Sequence, residues 1–327
     1  MAIDLVERAP VTLDSAFSHQ MLRDKLGRLL EAATARGIAP LLTIAQSVHP
    51  APRTAWHAAT RGSHLLLANM ECADAESAGA MLRLAGELGV PCYLDCAQKR
   101  PDSQTWRELL AACPGTGIYS DLSVWAEAIL GVVVPHLAPS PLHEVVLVGS
   151  SPLTDAVAQR AIQLGYDVSR ALSIVGAEPG SMALIGTAFH QPVIDAPSLL
   201  AIARDGVAPL CIDGGIGTFT PDALQVAQSQ GWPVWRPDMR AALVAEIERM
   251  EQYRRLAQQL AGARVIADIR CVAGGVVGHA GDLVLDRIDH PGEILGWADG
   301  RGGLLSESTD PAWLAAREAV AQALGLN

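Results

Sequence analysis

The chain has 327 residues, of which 50% are hydrophobic and only 18% are charged. This composition excludes a disordered chain, and the length predicts two domains that can each bury a core. Aromatic residues make up 4% of the sequence, which favours helices packed on a buried sheet over an aromatic-rich sandwich. The formal net charge is -11 and no stretch of five or six like charges occurs, which argues against nucleic acid as a partner.

The sequence also indicates where in the cell the protein is expected. The best apolar run, Ala128–Val134, ends at Pro135 and is far shorter than the roughly 18–20 residues of a membrane helix. Acidic residues stand within Met1–Pro10, where a secretion signal needs a basic start and an apolar centre. We therefore expect a cytoplasmic protein without a membrane partner. Six cysteines show no disulfide-scaffold spacing, and we interpret them as mostly core thiols: Cys72, Cys92, Cys96, Cys113, Cys211 and Cys271.

Residues 1–140 are predicted to form an α/β domain that holds the substrate or the catalytic groups. A first helix is predicted over Thr12–Arg36, with Lys25 on its polar side. Strands alternate with helices, a pattern typical of parallel crossovers. The predicted strands are Pro40–Ala45, His64–Asn69, Pro91–Leu94 and Gly117–Ser120, and the helices are Ala73–Leu88, Gln104–Ala112 and Leu122–His136. A proline-stiffened linker, Ala138–Leu142, closes this domain.

Residues 141–265 are predicted to form a degenerate Rossmann-like, doubly wound domain. The buried strand Glu144–Gly149 turns directly into a helix over Leu153–Leu164, which is the opening of a βαβ unit. The later strands are Asp167–Ser173, Ser181–Ala188, Ala208–Asp213 and Pro233–Arg236, with helices Ala196–Arg204 and Pro221–Gln230 between them. Ile174–Gly180 is too short and too rich in glycine and proline for a full crossover helix.

The long amphipathic helix Asp238–Leu260 follows. Residues 266–327 are predicted to pack back on the body as a glycine-rich segment and a last helix. Strands and turns are expected over Val265–Gly303 and the helix over Pro311–Leu324. The predicted fold class is therefore α/β in two domains, one with a parallel sheet and one Rossmann-like.

The turn Gly149-Ser150-Ser151-Pro152 carries the first candidate cofactor site. A strand that runs straight into a helix presents backbone amides at the positive end of the helix dipole, where a pyrophosphate can bind. Only the first glycine of a Gly-x-Gly-x-x-Gly motif is present, because Ser151 and Thr154 replace the other two. Two interpretations stay open: a site for NADP, or a Rossmann fold that no longer binds a dinucleotide.

Further cofactor candidates stand at the carboxyl ends of the predicted strands, where ligands collect in open α/β sheets. Arg170 could pair with the 2′-phosphate of NADP, or it could be a solvated surface residue. Thr187 follows the third strand, and Asp213 and Gly214 follow the fourth. Their glycine-rich surroundings could admit a nicotinamide or a substrate ring, or could only form tight turns.

Lys99 and Asp121 are the candidate catalytic residues. Lys99 follows a predicted strand and could donate a proton, or it could be exposed on a loop. Asp121 could face a cleft between the domains, or it could cap the long helix. Cys92 and Cys96 lack a second ligand pair at zinc spacing, so no metal site is predicted. The nine histidines form no close pair, and only His190 is placed near the cleft.

Three segments carry a family resemblance. They are Thr60-Arg61-Gly62 before a strand, Asp121 with Ala126–Val134, and Val145–Gly149 with Pro152 in the turn. Over roughly residues 55–170 they resemble methylene-tetrahydromethanopterin and methylene-tetrahydrofolate dehydrogenases, in the amino-acid-dehydrogenase-like group that includes shikimate dehydrogenase. The resemblance implies a reduced pterin that carries a one-carbon unit, and hydride transfer from its methylene carbon to a nicotinamide.

These observations define three hypotheses. The first is an NADP-dependent oxidoreductase that acts on a small molecule, with its cleft between residues 1–140 and 141–265. The second is a redox-inactive relative that binds a pterin-type cofactor, or helps to make one, without NADP. The third is a structural protein whose helix Asp238–Leu260 mediates pairing, and we expect a homo-oligomer, most simply a dimer.

Overall fold

The protein has an α/β fold, as predicted. The computed structural model describes residues 11–13, 19–49, 51, 53–97, 103–113, 115–137, 144–171, 182–202 and 209–326. The chain divides into two compact units, Met1–Glu248 and Arg249–Asn327. Lys99, the linker Ala138–Leu142 and the crossover Ile174–Gly180 lie outside the described residues.

The first unit contains two sheets, and the first of these has six strands in the order β1-β3-β4-β2-β5-β6. Its elements are β1 Val11–Leu13, α1 His19–Arg36, β2 Ala39–Gln46, β3 Thr54–Arg61, β4 Leu65–Cys72, α2 Ala75–Glu87, β5 Cys92–Asp95, α3 Ser103–Ala112 and β6 Gly117–Tyr119. Strands β4, β2, β5 and β6 are parallel neighbours. Strand β3 is antiparallel to both β4 and β1, so this sheet is mixed.

One prediction for this sheet is wrong, and one of its strands was not predicted. The first helix does not begin at Thr12, which lies in β1 and pairs with β3. Strand β3 itself was missed, because its register shifts between His57 and Thr60 and such a bulge interrupts the alternation that identifies a strand. Residues of β3 line two cavities of the first unit.

Lys25 is also placed differently from the prediction. It is only 7% exposed, and its Nζ lies 5.8 Å from the centroid of the Trp56 ring. The apolar stripe of α1 (Leu22, Leu26 and Leu29) is buried as its helical spacing predicts. Strand β3 extends the sheet beneath α1. Its Trp56 covers the side of the helix on which Lys25 lies.

The second sheet is fully parallel, with the order β11-β10-β9-β7-β8. Helix α4, Asp121–Leu137, leads into it, followed by β7 Glu144–Val148, α5 Pro152–Gln163, β8 Asp167–Ala171, β9 Met182–Gly186, α6 Ala196–Ile202, β10 Leu210–Asp213, α7 Pro221–Ser229 and β11 Val234–Trp235. In chain order this is 2-1-3-4-5, one of the two common doubly wound arrangements. The Rossmann-like, doubly wound prediction is confirmed at the level of fold.

Helices cover both faces of the second sheet. One face packs against α4 and α5, which contribute Ile129 and Val157 to the core. The other packs against α6 and α7, through Leu199 and Ala223. The order of strands reverses between β7 and β9, and ligands of open α/β sheets bind at such a switch point.

The second unit contains a five-stranded sheet, the last part of one long helix and the whole of another helix. The division between the units falls within α8, Met239–Leu260. The strands β12 Gly262–Ile266, β13 Ile269–Ala273, β14 Leu283–Leu285, β15 Ile294–Ala298 and β16 Leu304–Leu305 pair in chain order, and α9 spans Pro311–Leu324. Trp297 is fully buried and stacks on Trp313.

The predicted domain boundaries are at residues 140 and 265. Residue 140 lies outside the described residues, in the part of the sequence that joins α4 to β7, and residue 265 lies in β12. Helix α8 exposes Tyr253, Leu256 and Leu260, and pairing of two copies of the chain through this helix stays a prediction that light scattering can test. No helix in the described part of the chain has the length and apolarity that crossing a membrane requires.

Candidate functional site

A cleft of about 350 Å³ lies in the first unit, and residues from both of its sheets line it. Gln46 ends β2, while Asn69 and Glu71 stand near the end of β4. Because β2 and β4 are parallel, these side chains meet at one edge of the first sheet. Residues that follow β9 and β10, among them His190 and Ile216, line the cleft from the second sheet. The carboxyl ends of strands from both sheets therefore form the walls.

A histidine and a carboxylate lie side by side in the cleft. Strand β3 runs antiparallel to β4, which places His57 opposite Asn69, near Glu71. His57 Nε2 lies 3.4 Å from Glu71 Oε2. Thr43 donates a hydrogen bond of 3.0 Å to Asn69 Oδ1, which orients the amide and leaves its NH2 group as a donor. An imidazole beside a carboxylate can accept and release a proton near neutral pH.

Two further histidines meet across the cleft, which corrects the prediction that the histidines form no close pair. The ring centroids of His49 and His190 are 5.2 Å apart. Burial, and next the nearby His49, lower the pKa of His190 below its ordinary value. The neutral form of His190 is therefore favoured near pH 7, and this imidazole can accept a hydrogen bond from a ligand. The placement of His190 at the cleft agrees with the sequence analysis.

The second-sheet wall of the cleft has an uncommon backbone conformation. His190 has φ 52° and Ile216 has φ 65°. The His190 amide donates to the Gly215 carbonyl at 3.0 Å, which joins the two loops. A β-branched residue rarely adopts positive φ, and such strain is concentrated at functional sites.

Asp121 lines the cleft. It is the first residue of α4, and its backbone N–H donates to Asp95 Oδ1 at 3.0 Å. The side chain of Ser120 accepts a hydrogen bond from the Ser123 amide and so supplies the cap. The capping role considered for Asp121 thus belongs to Ser120, and Asp121 lines the cleft at the positive end of the helix dipole.

The predicted cofactor residues around the β7–α5 turn do lie together. Gly149 has φ 104°, and Ser150 is exposed in the turn. Ser151 donates a hydrogen bond of 2.6 Å from its Oγ to the Thr187 carbonyl. Thr154 Oγ1 lies 2.8 Å from Thr187 Oγ1. These contacts join the ends of β7 and β9 at the switch point.

Two amides at this turn, however, donate to side chains of the turn itself. The sequence predicted that they would be free to hold an anion. Ser151 N–H donates to Thr154 Oγ1 at 3.0 Å, and Leu153 N–H donates to Ser151 Oγ at 3.2 Å. Pro152 has no N–H to offer. A phosphate at this turn would have to displace the capping box that Ser151 and Thr154 form.

The capping box predicts a measurable stability effect. In Ser151→Ala, the helix α5 loses its cap and the Thr187 carbonyl loses a donor, so we expect the free energy of unfolding to fall by about 1–2 kcal/mol. Urea unfolding followed by circular dichroism measures this change. Ser229→Ala, at an exposed position near the end of α7, is the matched control and should change stability by less than about 0.5 kcal/mol. Equal stability of Ser151→Ala and the wild type would contradict this account of the turn.

Asp213 organises the neighbouring loop. It accepts hydrogen bonds from Thr218 N–H at 2.9 Å and Thr218 Oγ1 at 2.7 Å, and from Arg236 at 2.6 Å. Burial alone would raise its pKa, but these hydrogen bonds, together with one from Gly217 N–H, outweigh burial and lower the pKa below the ordinary value. Asp213 is therefore ionised at neutral pH and holds the loop that carries Ile216.

Two further predicted site residues, Gly214 and Arg170, are separate from the cleft lining. An added Cβ at Gly214 would lie 2.9 Å from the Gly186 carbonyl oxygen, so this glycine permits close packing of β9 and β10. Arg170 pairs with Asp155 at 2.6 Å on the surface. Lys99 lies outside the described residues. Within the described ranges, no group of three His, Cys, Asp or Glu side chains could hold a metal ion.

The sequence analysis missed His49, His57 and Glu71. His57 lies on the strand that was not predicted. His49 and Glu71 stand at the carboxyl ends of strands in the first half, where the rule applied to the second half would have found them.

Comparison with known proteins gives only distant likenesses. No family model matches the chain, and no curated protein matches it. Among solved structures, a dipicolinate synthase polypeptide from Bacillus halodurans is 13% identical, with 54% of this chain and 69% of that chain covered and a TM-score of 0.27. A FolD methylenetetrahydrofolate dehydrogenase/cyclohydrolase from Campylobacter jejuni is 12% identical, with 72% and 96% covered and a TM-score of 0.35. At these values neither likeness bears on function.

Proposed function

We propose that the protein binds a pterin-like small molecule in the cleft and transfers a proton to or from it, without a dinucleotide at the β7–α5 turn. One observation carries the proposal. The cleft combines the His57–Glu71 pair with Asp121 and His190, which come from different elements of the first unit. Convergent titratable groups in one concave site are the usual mark of a binding or catalytic centre.

The size of the cleft restricts the ligand. A volume of about 350 Å³ is at the lower end of the roughly 300–1,000 Å³ found for small-molecule sites. That space suits a bicyclic ring and not a whole dinucleotide. Trp125 and Ile216 supply apolar surface beside the polar groups, as a flat ring with a polar edge requires.

The charges of the cleft indicate which groups would touch the ligand. A carboxylate can accept two parallel hydrogen bonds from a guanidine-like edge, such as the 2-amino and N3–H groups of a pterin. Glu71 or Asp121 would hold that edge, and the NH2 group of Asn69 would donate to a ring carbonyl. His57 would carry the proton, since Glu71 lies beside its Nε2 and orients its ring.

A second candidate function is the NADP-dependent oxidoreductase that the sequence suggested. The order of strands in the second sheet favours it, because the ends of β7 and β9 form a switch point at which dinucleotides bind in doubly wound folds. A nicotinamide there would approach the cleft past Thr187 and Ile216. The capping box formed by Ser151 and Thr154 weighs against it, because these side chains accept hydrogen bonds from amides that a phosphate would need.

Two fluorescence titrations of the purified protein separate these candidates. We expect saturable quenching of 6-methylpterin and no saturable change with NADPH up to millimolar concentrations, because the capping box engages the amides of Ser151 and Leu153. Saturable NADPH binding that weakens about tenfold in Arg170→Gln would instead favour the oxidoreductase. Arg170 is exposed, so this substitution leaves the fold intact. Failure of 6-methylpterin to bind would contradict the pterin proposal.

A further inference from the structure

A second cavity lies in the first unit, on the face of the first sheet that α1 covers. Its volume is about 200 Å³, and Lys25, Arg28, Leu29, Trp56 and Leu66 are among the residues that line it. Successive side chains of a strand point to opposite faces. Trp56 therefore faces this cavity, whereas the next residue, His57, lines the cleft. The two cavities are separate sites on one strand.

The cavity combines a buried cation with apolar walls. Lys25 is 7% exposed, and its Nζ lies 5.8 Å from the Trp56 ring centroid, a distance at which the ring face attracts the ammonium group. Arg28 follows three residues later on α1 and is exposed. Of the described residues that line the cavity, none is acidic. Both cations also interact elsewhere in the chain, so a ligand would add a contact to those that exist.

We propose that this cavity binds a small aromatic carboxylate, independently of the proposed function of the cleft. The aromatic ring would lie against Trp56, Leu29 and Leu66. The carboxylate would meet the Lys25 ammonium group, and the Arg28 guanidinium can bind a carboxylate with two parallel hydrogen bonds. An inorganic anion would leave the apolar walls without contacts, and a nucleotide is too large for the volume.

Calorimetric titration with benzoate tests this site on the full-length protein. We expect saturable benzoate binding, and binding of benzamide that is at least tenfold weaker, because benzamide has the same shape without the charge. Lys25→Met should weaken benzoate binding at least tenfold. Arg28→Gln should weaken it several-fold, whereas Arg83→Gln, at an exposed arginine on α2, should not change it.

A second variant keeps the test decisive if Lys25→Met does not fold. Ala32 also lines the cavity, so Ala32→Phe keeps both cations and fills the cavity from α1, and benzoate binding should be lost. Equal affinity for benzoate and benzamide, unchanged binding in Ala32→Phe, or absence of saturable benzoate binding would overturn the proposal. Competition between benzoate and 6-methylpterin would place the carboxylate in the cleft and would also overturn it, whereas failure of 6-methylpterin to bind would leave this site untouched.

Discussion

Gly149→Ala is expected to destabilise the protein more than any other single change considered. Gly149 has φ 104°, where a side chain is strained by about 1–3 kcal/mol. An added Cβ would also lie 2.8 Å from Ala188 Cβ and 2.9 Å from the Ala188 backbone nitrogen. Backbone cannot move as a flexible side chain can, and overpacking of this kind costs about 1–3 kcal/mol more. Urea unfolding should therefore show a loss of several kcal/mol.

Gly131→Ala is the matched control. Gly131 lies inside α4, and an added Cβ there would meet nothing within 4 Å. Alanine favours the helix over glycine by about 0.5–1 kcal/mol, so this variant should be slightly more stable than the wild type. Opposite signs for the two substitutions are the expected result. Two variants of similar stability would mean that the β7–α5 turn does not pack against Ala188 as described.

Asp213→Asn is expected to cause the second largest loss of stability. The carboxylate accepts hydrogen bonds from Thr218, Gly217 and Arg236, and hydrogen bonds to a charged group contribute about 1.5–3 kcal/mol. The asparagine amide can replace only part of this set, because its NH2 group would face donors. We expect a loss of about 1.5–3 kcal/mol at neutral pH.

The effect of Asp213→Asn should depend on pH in a defined direction. The folded protein holds the pKa of Asp213 below the ordinary value of 3.8. The stability that its charge contributes is therefore fully present above about pH 4 and is lost as the pH falls through the folded-state pKa. The difference between wild type and variant should shrink in that acidic range. Asp155→Asn, at an exposed ion pair, should change stability by less than about 1 kcal/mol at any pH. A difference for Asp213→Asn that grows on acidification would contradict the description of this loop.

Local sequence patterns predicted the second sheet well. Four apolar residues follow Glu144 in the strand Glu144–Val148. Pro152 is the first residue of α5, where its fixed φ suits a helix, and the side chain of Thr220 caps the start of α7. Such signals depend on neighbouring residues alone. The sequence could therefore place Gly149, Thr187 and Asp213 at the carboxyl edge of this sheet.

The cleft was harder to predict because tertiary pairing creates it. His57 reaches Glu71 only through an antiparallel strand with a bulge, and His49 reaches His190 only because two sheets meet in the first unit. The burial of Lys25 has the same origin, since Trp56 on β3 covers it.

A hydroxyl side chain in a turn can cap a helix or leave the amides for a ligand, and only the geometry of Ser151 and Thr154 distinguishes these outcomes.

The affinity of Glu71→Gln for 6-methylpterin tests the central claim most directly. The substitution keeps the shape of the side chain and removes the charge that would hold the guanidine-like edge of the ligand. Glu87→Gln, at an exposed surface pair with Arg23, is the matched control. The account predicts that the dissociation constant rises at least tenfold in Glu71→Gln, a loss of about 1.4 kcal/mol or more, and stays within about twofold of the wild type in Glu87→Gln. Equal affinities for the folded wild type and Glu71→Gln would contradict the claim that Glu71 holds the ligand in this cleft.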